Sequence, residues 1–432
     1  NAHTHVPMTL LRGLADDLRL DVWLLGYMTP VEREFVNPEF VYLGTLLGCA
    51  EMIRSGVTTF ADMYYFEDSV AEATAEAGMR GVLGQTVLKF PSPDAPSYEE
   101  GLARCRDFIE GWKGHELIVP AVAPHAPYTS TPDILQACAD LAVEFGVPLH
   151  THLAETRQEV VDSREDNNMP VIPWVKKNNL FDAQVIAAHC VHVDAGEIRT
   201  LHKHGAGVAH NPSSNLKLAS GIAPVGEMLE VGLNVGVGTD GPASNNDLDM
   251  FEEVRLAAFL AKAATDDPTT LPARDAFAMA TSMGAKALHI GDITGSLEPG
   301  KRADITVVDL GRVHSLPAFE RSLDAVYSRL VYSAKSTDTL HVMCNGRWLM
   351  RDQVLLTIDV DTLLAQAAVT AERIDTFLLA REDDIVSKLL ALGELEQQES
   401  FEVQVKAKIE DPSRVDALLA SPEGDVVKTS HY

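Results

Sequence analysis

An α/β chain folded as a (β/α)8 TIM barrel is what three features of this sequence predict. Apolar, β-branched runs alternate with stretches of helical spacing, polar residues of catalytic type recur at the ends of those runs, and the pattern changes near Thr294 to short runs joined by tight turns. Strands that alternate with helices form βαβ units on a parallel sheet. Eight such units close into a barrel whose chemistry sits at the C-terminal strand ends.

The predicted strands are Val57–Met63, Gly81–Leu88, Leu117–Ala123, Val147–Leu153, Val185–Cys190, Gly207–His210 and Asn234–Gly238. Between and around them, Glu39–Ser55, Ser69–Ala77, Tyr98–Trp112, Pro132–Phe145, Gly196–His204, Val225–Val231 and Leu248–Ala264 carry helical spacing. An eighth strand ends in Asn1-Ala2-His3-Thr4-His5 and needs residues ahead of it; position 1 is Asn rather than Met. An open doubly wound sheet is the competing arrangement, but no G-x-G-x-x-G follows the first strand. Beyond Thr294, Ile305–Leu310 reads as a short strand, and Thr339–Met343 and Arg347–Met350 flank an Asn345-Gly346 hairpin step. Asp361–Leu392 reads as helix, and Phe401–Ile409 alternates as a strand with one buried face. The expected organisation is a barrel over 1–294, a small flanking β-sandwich unit over 295–358, a helical segment over 359–395 and an extension over 396–432.

Composition narrows the partners. The 432 residues include 35 Lys and Arg against 63 Asp and Glu, a net charge of −28. Such a surface repels phosphates, which argues against nucleic acid and anionic membrane and for a small-molecule substrate. Five cysteines, widely spaced and without a C-x-x-C, point to reduced thiols and a cytoplasmic setting. No run of eighteen apolar residues and no basic-then-apolar leader is present, so neither a membrane span nor a signal peptide is expected. A homo-oligomer is compatible with this composition.

The strand ends carry the chemistry. His3 and His5 share a face of an extended segment, because side chains alternate along a strand. His125 follows the fourth strand of the eight, His152 and Glu155 end the fifth, His189 the sixth, His210-Asn211 the seventh, and Asp240 the eighth. Each alone reads equally well as a packed histidine or a turn aspartate. Their shared placement at one rim is what a metal site requires. Three neutral imidazoles and a carboxylate, from His3, His5, His152 and Asp240, suit Zn²⁺, with Fe²⁺ and Mn²⁺ also accommodated. A metal of this kind lowers the pKa of water and makes a nucleophile at neutral pH. Glu155, three residues beyond His152, is placed to shuttle the proton. His189 is placed to stabilise a developing oxyanion, with a buried structural role beside Cys190 as the alternative.

The segments "NAHTHVPMTLLRG", "GVTTFADMY", "APHAPYTST", "THLAET", "AAHCVH", "AHNPSSNLKLASGIAPV", "GTDGPASNNDLDMFEEVRLA" and "GSLEPGKRADITVVDL" together resemble the amidohydrolase superfamily. Within its aminohydrolase and chlorohydrolase branch they most resemble 5'-methylthioadenosine/S-adenosylhomocysteine deaminases, over Asn1 to about residue 390. The resemblance implies one divalent metal on His3, His5, His152 and Asp240, with Glu155 as acid/base and His189 beside them. It implies that Glu32 grips the ribose hydroxyls, that His125 contacts the nucleoside and that Ser244 lies in the loop after the metal-binding aspartate. Gln85 stands where such deaminases often carry an arginine for the homocysteine carboxylate, which weakens the expectation for S-adenosylhomocysteine and leaves methylthioadenosine and adenosine. Family members also carry some tens of residues ahead of the H-x-H, supplying part of the small β-sandwich. The implied activity is hydrolytic deamination of an adenine nucleoside. Competing readings are a guanine or pterin deaminase, an s-triazine amino- or chlorohydrolase, and a non-catalytic scaffold on the same fold.

Overall fold

The computed structural model describes residues 1–18, 23–319 and 321–395. Phe401–Ile409 and the extension over 396–432 lie outside the described residues. Asn1–Ala380 forms one compact unit; of the second, 381–432, the described part is helical.

All seven predicted runs are strands, with ends within two residues of those expected: β1 Thr59–Tyr64, β2 Arg80–Val87, β3 Ile118–Pro124, β4 Pro148–Leu153, β5 Gln184–His189, β6 Gly207–His210 and β7 Asn234–Val237. They pair in parallel in chain order. The opening segment closes the ring. Ala2 N–H donates to Val237 O and Asp240 N–H to His3 O on one side, while Ala61 N–H donates to Asn1 O and Met63 N–H to Thr4 O on the other. The segment therefore lies between β7 and β1 as the eighth staff of the barrel.

Local chemistry sets the helices. Asn37, Ser97, Thr131, Thr156, Asp194 and Asp249 each cap a helix by accepting a backbone N–H two or three residues on. Strand parity then decides which side chains face inward. Ala2, Ala61, Val82, Ala121, Ile186 and Ala209 form a small inner core closed below by Ala285, Leu288 and Ile290. Phe60, Leu83, Val122, Leu149, Val185 and Val208 belong to the larger core between strands and helices. Inner positions are small because the bore is narrow and is filled by side chains. At Gly207 even a methyl would be too much, since a Cβ would stand 1.9 Å from Ala287 O.

After the barrel comes an antiparallel sheet, β8 Ile305–Val308, β9 Thr339–Cys344, β10 Arg347–Arg351 and β11 Val354–Leu355, paired in that order. Asn345 (φ 51°) and Gly346 (φ 79°) make the β9–β10 turn, as the Asn-Gly step predicts. A helix, Val360–Leu395, follows. No helix among the described residues is long and apolar enough to cross a membrane.

The sheet is fastened to the base of the barrel by a buried ion pair. Arg80, first residue of β2, donates from Nε and Nη2 to the two oxygens of Asp304 at 3.1 and 3.2 Å, and from Nη1 to Glu116 O. Thr294 and the Asn345 N–H complete the carboxylate. Removing one partner of such a pair leaves an uncompensated buried charge. Arg80→Met is expected to cost about 3–5 kcal/mol, read as a lowered denaturant midpoint; an unchanged midpoint would show that Asp304 finds its counter-charge elsewhere.

Candidate active site

His3 and His5 rise from the opening segment and His152 from β4, all pointing into the C-terminal mouth, where Asp240 follows β7. His3 Nε2 and His5 Nε2 each stand 3.4 Å from Asp240 Oδ1. His5 Nε2 and His152 Nε2 are 3.2 Å apart. The outer ring nitrogens are already committed: His5 Nδ1–H donates to Met63 O and His152 Nδ1–H to His125 O, both at 2.7 Å. Each ring thus carries its proton on Nδ1 and turns an Nε2 lone pair inward. His3 Nε2, buried, makes no hydrogen bond. The ligand atoms of His3, His5 and Asp240, and separately of His3, His152 and His189, lie within 4.8 Å of one another.

Electrostatics agree with that geometry. Burial pushes the His3 imidazole down to about 4 and holds His152 well below the ordinary range, so both are neutral donors at pH 7. Burial pushes the Asp240 carboxyl up, but the adjoining imidazoles, His3 foremost, outweigh it and hold the group ionised. Ser214 Oγ–H and Gly241 N–H donate to the two Asp240 oxygens at 2.6 and 2.7 Å. Neutral imidazole lone pairs crowded around a carboxylate make a poor packing arrangement and a good cation site. The residues present fit a divalent metal, and Zn²⁺ in particular by donor type.

Glu155 and His189 face this cluster. His189 Nε2 lies 3.9 Å from both Glu155 Oε2 and Asp240 Oδ2, and its Nδ1–H donates to Asn215 Oδ1 at 2.8 Å. Burial raises the Glu155 carboxyl. Burial alone would lower His189, but Glu155 and Asp240 raise it overall. Two of the rim positions are left-handed, His189 at φ 71° and Asp240 at φ 63°. That backbone turns side chains at the strand ends toward the bore.

His5, His152, His189, Asp240, Glu155, Glu32, His125 and Ser244 all line one cavity of about 120 Å³, together with Trp23, Leu24, Tyr64, Tyr65, Thr86 and Tyr128. His3 lies beneath it. A larger cavity of about 710 Å³ sits at the opposite end of the barrel, around Asn1, Thr59, Thr306 and Tyr327, and contains none of these groups. Glu32 accepts from Tyr64 Oη–H at 2.7 Å, and burial pushes its carboxyl up to about 7. Ser244 Oγ–H donates to Gly241 O behind Asp240.

Gln85 is placed differently from its expectation. Val82 belongs to the inner core, so alternation sends Thr86 inward and Gln85 outward. Gln85 Nε2 donates to Asp94 Oδ2 at 2.8 Å and to Thr86 O, and Gln85 Oε1 accepts from Glu67 N–H. It does not line the cavity; a substrate contact from this side chain is not supported by its position.

Several residues escaped sequence reasoning. Tyr64 closes the segment GVTTFADMY without a role read from it, and the Trp23–Leu24 step sits in a segment without a chemical motif. Glu159 is another: its carboxylate accepts Ala154 N–H at 3.2 Å and Glu155 N–H at 2.8 Å, bracing a turn in which Ala154 has φ 51°. His150 did carry a signal, since His150-Thr151-His152 repeats the His3-Thr4-His5 spacing.

A closed barrel with convergent ligands at its C-terminal rim is the arrangement of a barrel enzyme. Residues 1–349 match the family described as the amidohydrolase family, and the chain belongs to it. It is 46% identical over 374 residues to the 5-methylthioadenosine/S-adenosylhomocysteine deaminase of Syntrophobacter fumaroxidans, covering 87% of this chain and 84% of that one. A solved adenosine deaminase from Xanthomonas campestris with bound zinc is 40% identical, with a TM-score of 0.84, covering 87% of this chain and 84% of that chain. The zinc complex of an atrazine chlorohydrolase from Arthrobacter aurescens shares the fold at 24% identity and a TM-score of 0.78, covering 86% of each chain.

Glu159→Ala would leave two buried N–H groups without an acceptor, at roughly 1–3 kcal/mol each. The expected result is a lowered urea midpoint, partly recovered in Glu159→Gln. A midpoint equal to wild type would mean the turn holds without this carboxylate.

Proposed function

We propose that this chain is a metal-dependent hydrolytic deaminase of adenine nucleosides, with methylthioadenosine and adenosine as its substrate class. The observation that carries the proposal is the pairing, in one cavity, of the His/Asp cluster with Glu155 at one end and Glu32 at the other. The relatives named as 5-methylthioadenosine/S-adenosylhomocysteine deaminases support it.

His3, His5, His152 and Asp240 would hold a Zn²⁺ ion. When bound, the ion acts as a Lewis acid that lowers the pKa of water from 15.7 to about 7. Glu155 does the proton work: it takes a proton as oxygen adds to C6 of the adenine, and delivers it to the ring nitrogen. The second proton of the added oxygen then passes to the amino group, the C6–N bond breaks as the C6 carbonyl forms, and the products are ammonia and the hypoxanthine nucleoside. His189, kept proton-rich by Glu155 and Asp240, donates from Nε2 toward the developing oxygen charge. Glu32, aligned by Tyr64, accepts from the ribose hydroxyls, and Trp23, Leu24 and Tyr128 give apolar walls. Among its described residues the cavity wall contains no Lys or Arg, so a substrate tail bearing a carboxylate meets Glu32, Glu155 and Asp240 without a counter-charge. Neutral 5' groups are favoured accordingly. The buried free cysteines suit a reducing, cytoplasmic setting.

The test is a panel of methylthioadenosine, adenosine, S-adenosylhomocysteine, guanine and s-triazines, scored by ammonia and chloride. Methylthioadenosine or adenosine should lead, with S-adenosylhomocysteine lower in kcat/KM by about 10–100-fold, the cost of one unpaired carboxylate. Turnover confined to guanine or triazines would overturn the nucleoside assignment. In the same assay Glu155→Gln should keep its zinc and lose on the order of 10²–10⁴-fold in kcat; near wild-type turnover would remove Glu155 from the proton path.

Glu32 adds a pH signature. Its carboxylate form is the one that accepts hydroxyl protons, and with a pKa of about 7 it is lost as pH falls through neutrality. KM for the nucleoside should therefore rise below about pH 7, by up to roughly tenfold per pH unit. Glu32→Gln should have a raised KM that no longer depends on pH in this range; an unchanged acid limb would assign that titration to another group.

A further inference from the structure

Two His-Thr-His segments face each other across the bore, and only three of their four imidazoles have a use in the chemistry above. The fourth is His150. It sits one layer below His152 on the inward face of β4, fully buried, as His3 sits below His5. The segments meet ring to ring at both levels: His5 Nε2 to His152 Nε2 at 3.2 Å in the upper layer, His3 Nδ1 to His150 Nε2 at 2.9 Å in the lower.

The lower contact differs in kind from the upper one. Among the three metal-facing imidazoles, His5 and His152 have their Nδ1–H groups fixed by backbone carbonyls, of Met63 and His125. Among the described residues His3 has no carbonyl in that place, and its Nδ1 is hydrogen-bonded to the His150 ring alone. Its other nitrogen, Nε2, is buried, unbonded and 3.4 Å from Asp240 Oδ1. An imidazole has one lone pair to offer, and which nitrogen offers it is decided by what the other nitrogen donates to. A hydrogen bond from the far nitrogen also raises the basicity of the ligand and fixes the plane of its ring.

We infer that His150 is a positioning residue for the metal centre: its Nε2 accepts the Nδ1–H of His3, which sets the His3 tautomer and ring plane so that Nε2 faces the cation site. It does not touch substrate and takes no part in proton transfer. The inference rests on the metal reading proposed above, and adds that one ligand is tuned by a side chain that substitution can remove, whereas its two companions are tuned by backbone. A side-chain acceptor is also free to be replaced by another acceptor of similar reach, such as an amide oxygen.

The experiment compares His150→Leu, which fills the space without an acceptor, with His150→Gln, whose amide oxygen reaches to about the position of the imidazole Nε2. Zinc affinity is measured on the full chain by competition with a chromophoric chelator, alongside the melting temperature of the chelator-stripped form. The Leu variant should bind zinc about 10–100-fold more weakly than wild type, with its stripped form melting no lower than that of the Gln variant. The Gln variant should bind within about threefold of wild type, well inside the 10–100-fold expected for a lost outer-shell partner. A Leu variant with wild-type affinity, or a Gln variant as weak as Leu, overturns the inference while leaving the metal reading intact. A wild-type chain that binds no zinc at this cluster overturns both.

Discussion

The arrangement at the mouth of this barrel depends on imidazoles whose outward nitrogens are already occupied. His5 and His152 have spent their protons on the carbonyls of Met63 and His125, so their lone pairs must confront each other and Asp240. Nothing in the pairwise energetics of neutral imidazole favours that, and it persists only because the ring of strands holds the two segments in register. The opening segment is hydrogen-bonded on both sides, to β7 and to β1, while His152 comes from the far wall. Closure of the barrel and convergence of the ligands are therefore one constraint. Loosening the Asn1–Thr4 ladder would separate the donors before it exposed much apolar surface.

The same constraint sets three carboxyls apart. Asp240, ringed by imidazoles, is held ionised; Glu155, buried and 3.9 Å from the His189 ring, is raised by its burial; Glu32, buried against Tyr64, lies at about 7. These are carboxyls with nearly equal affinities in water, driven apart by local solvation and by neighbours. The roles proposed for them, metal ligand, proton carrier and hydroxyl acceptor, need that separation. The net charge of −28 has little part in it, because exposed charges are screened beyond about 8–10 Å at physiological salt.

Most of the scaffold was legible in the residues, because parallel barrel strands are buried on both faces and read as unbroken apolar runs. The Asn345-Gly346 turn and the placement of His3, His152, Asp240 and Glu155 at strand ends follow from local rules of the same kind. What escaped was set by packing between elements distant in sequence. Gln85 was matched by position along the chain, yet its neighbour Val82 fixes the parity of β2 and turns it away from the bore. Tyr64 gives no sign of its role in the sequence, since an aromatic at a strand end is ordinarily core. Its role comes from Glu32, which lies 32 residues earlier. His150 shows a different failure: the spacing was visible, but counting one functional histidine per strand end hid the second layer.

Left-handed backbone gathers at one end of the barrel and its main supports at the other. Left-handed, non-glycine backbone at Ala154, His189, Cys190 and Asp240 gathers at the C-terminal rim, where each such residue costs on the order of 1 kcal/mol or more. The freed backbone groups are caught locally: Glu159 takes the N–H groups of Ala154 and Glu155, Cys190 N–H reaches Leu153 O, and Asp240 N–H reaches His3 O. At the base His289 (φ 59°), between Leu288 and Ile290, is also left-handed, and its Nε2 is hydrogen-bonded to Val185 O. There the Arg80–Asp304 pair ties the small sheet to the first residue of β2, and Ala285, Leu288 and Ile290 plug the bore. Strained turns can aim side chains only if what they spring from does not yield, and the base supplies that rigidity. A barrel with a relaxed rim over the same floor would hold its fold and lose the aim of His189 and Asp240.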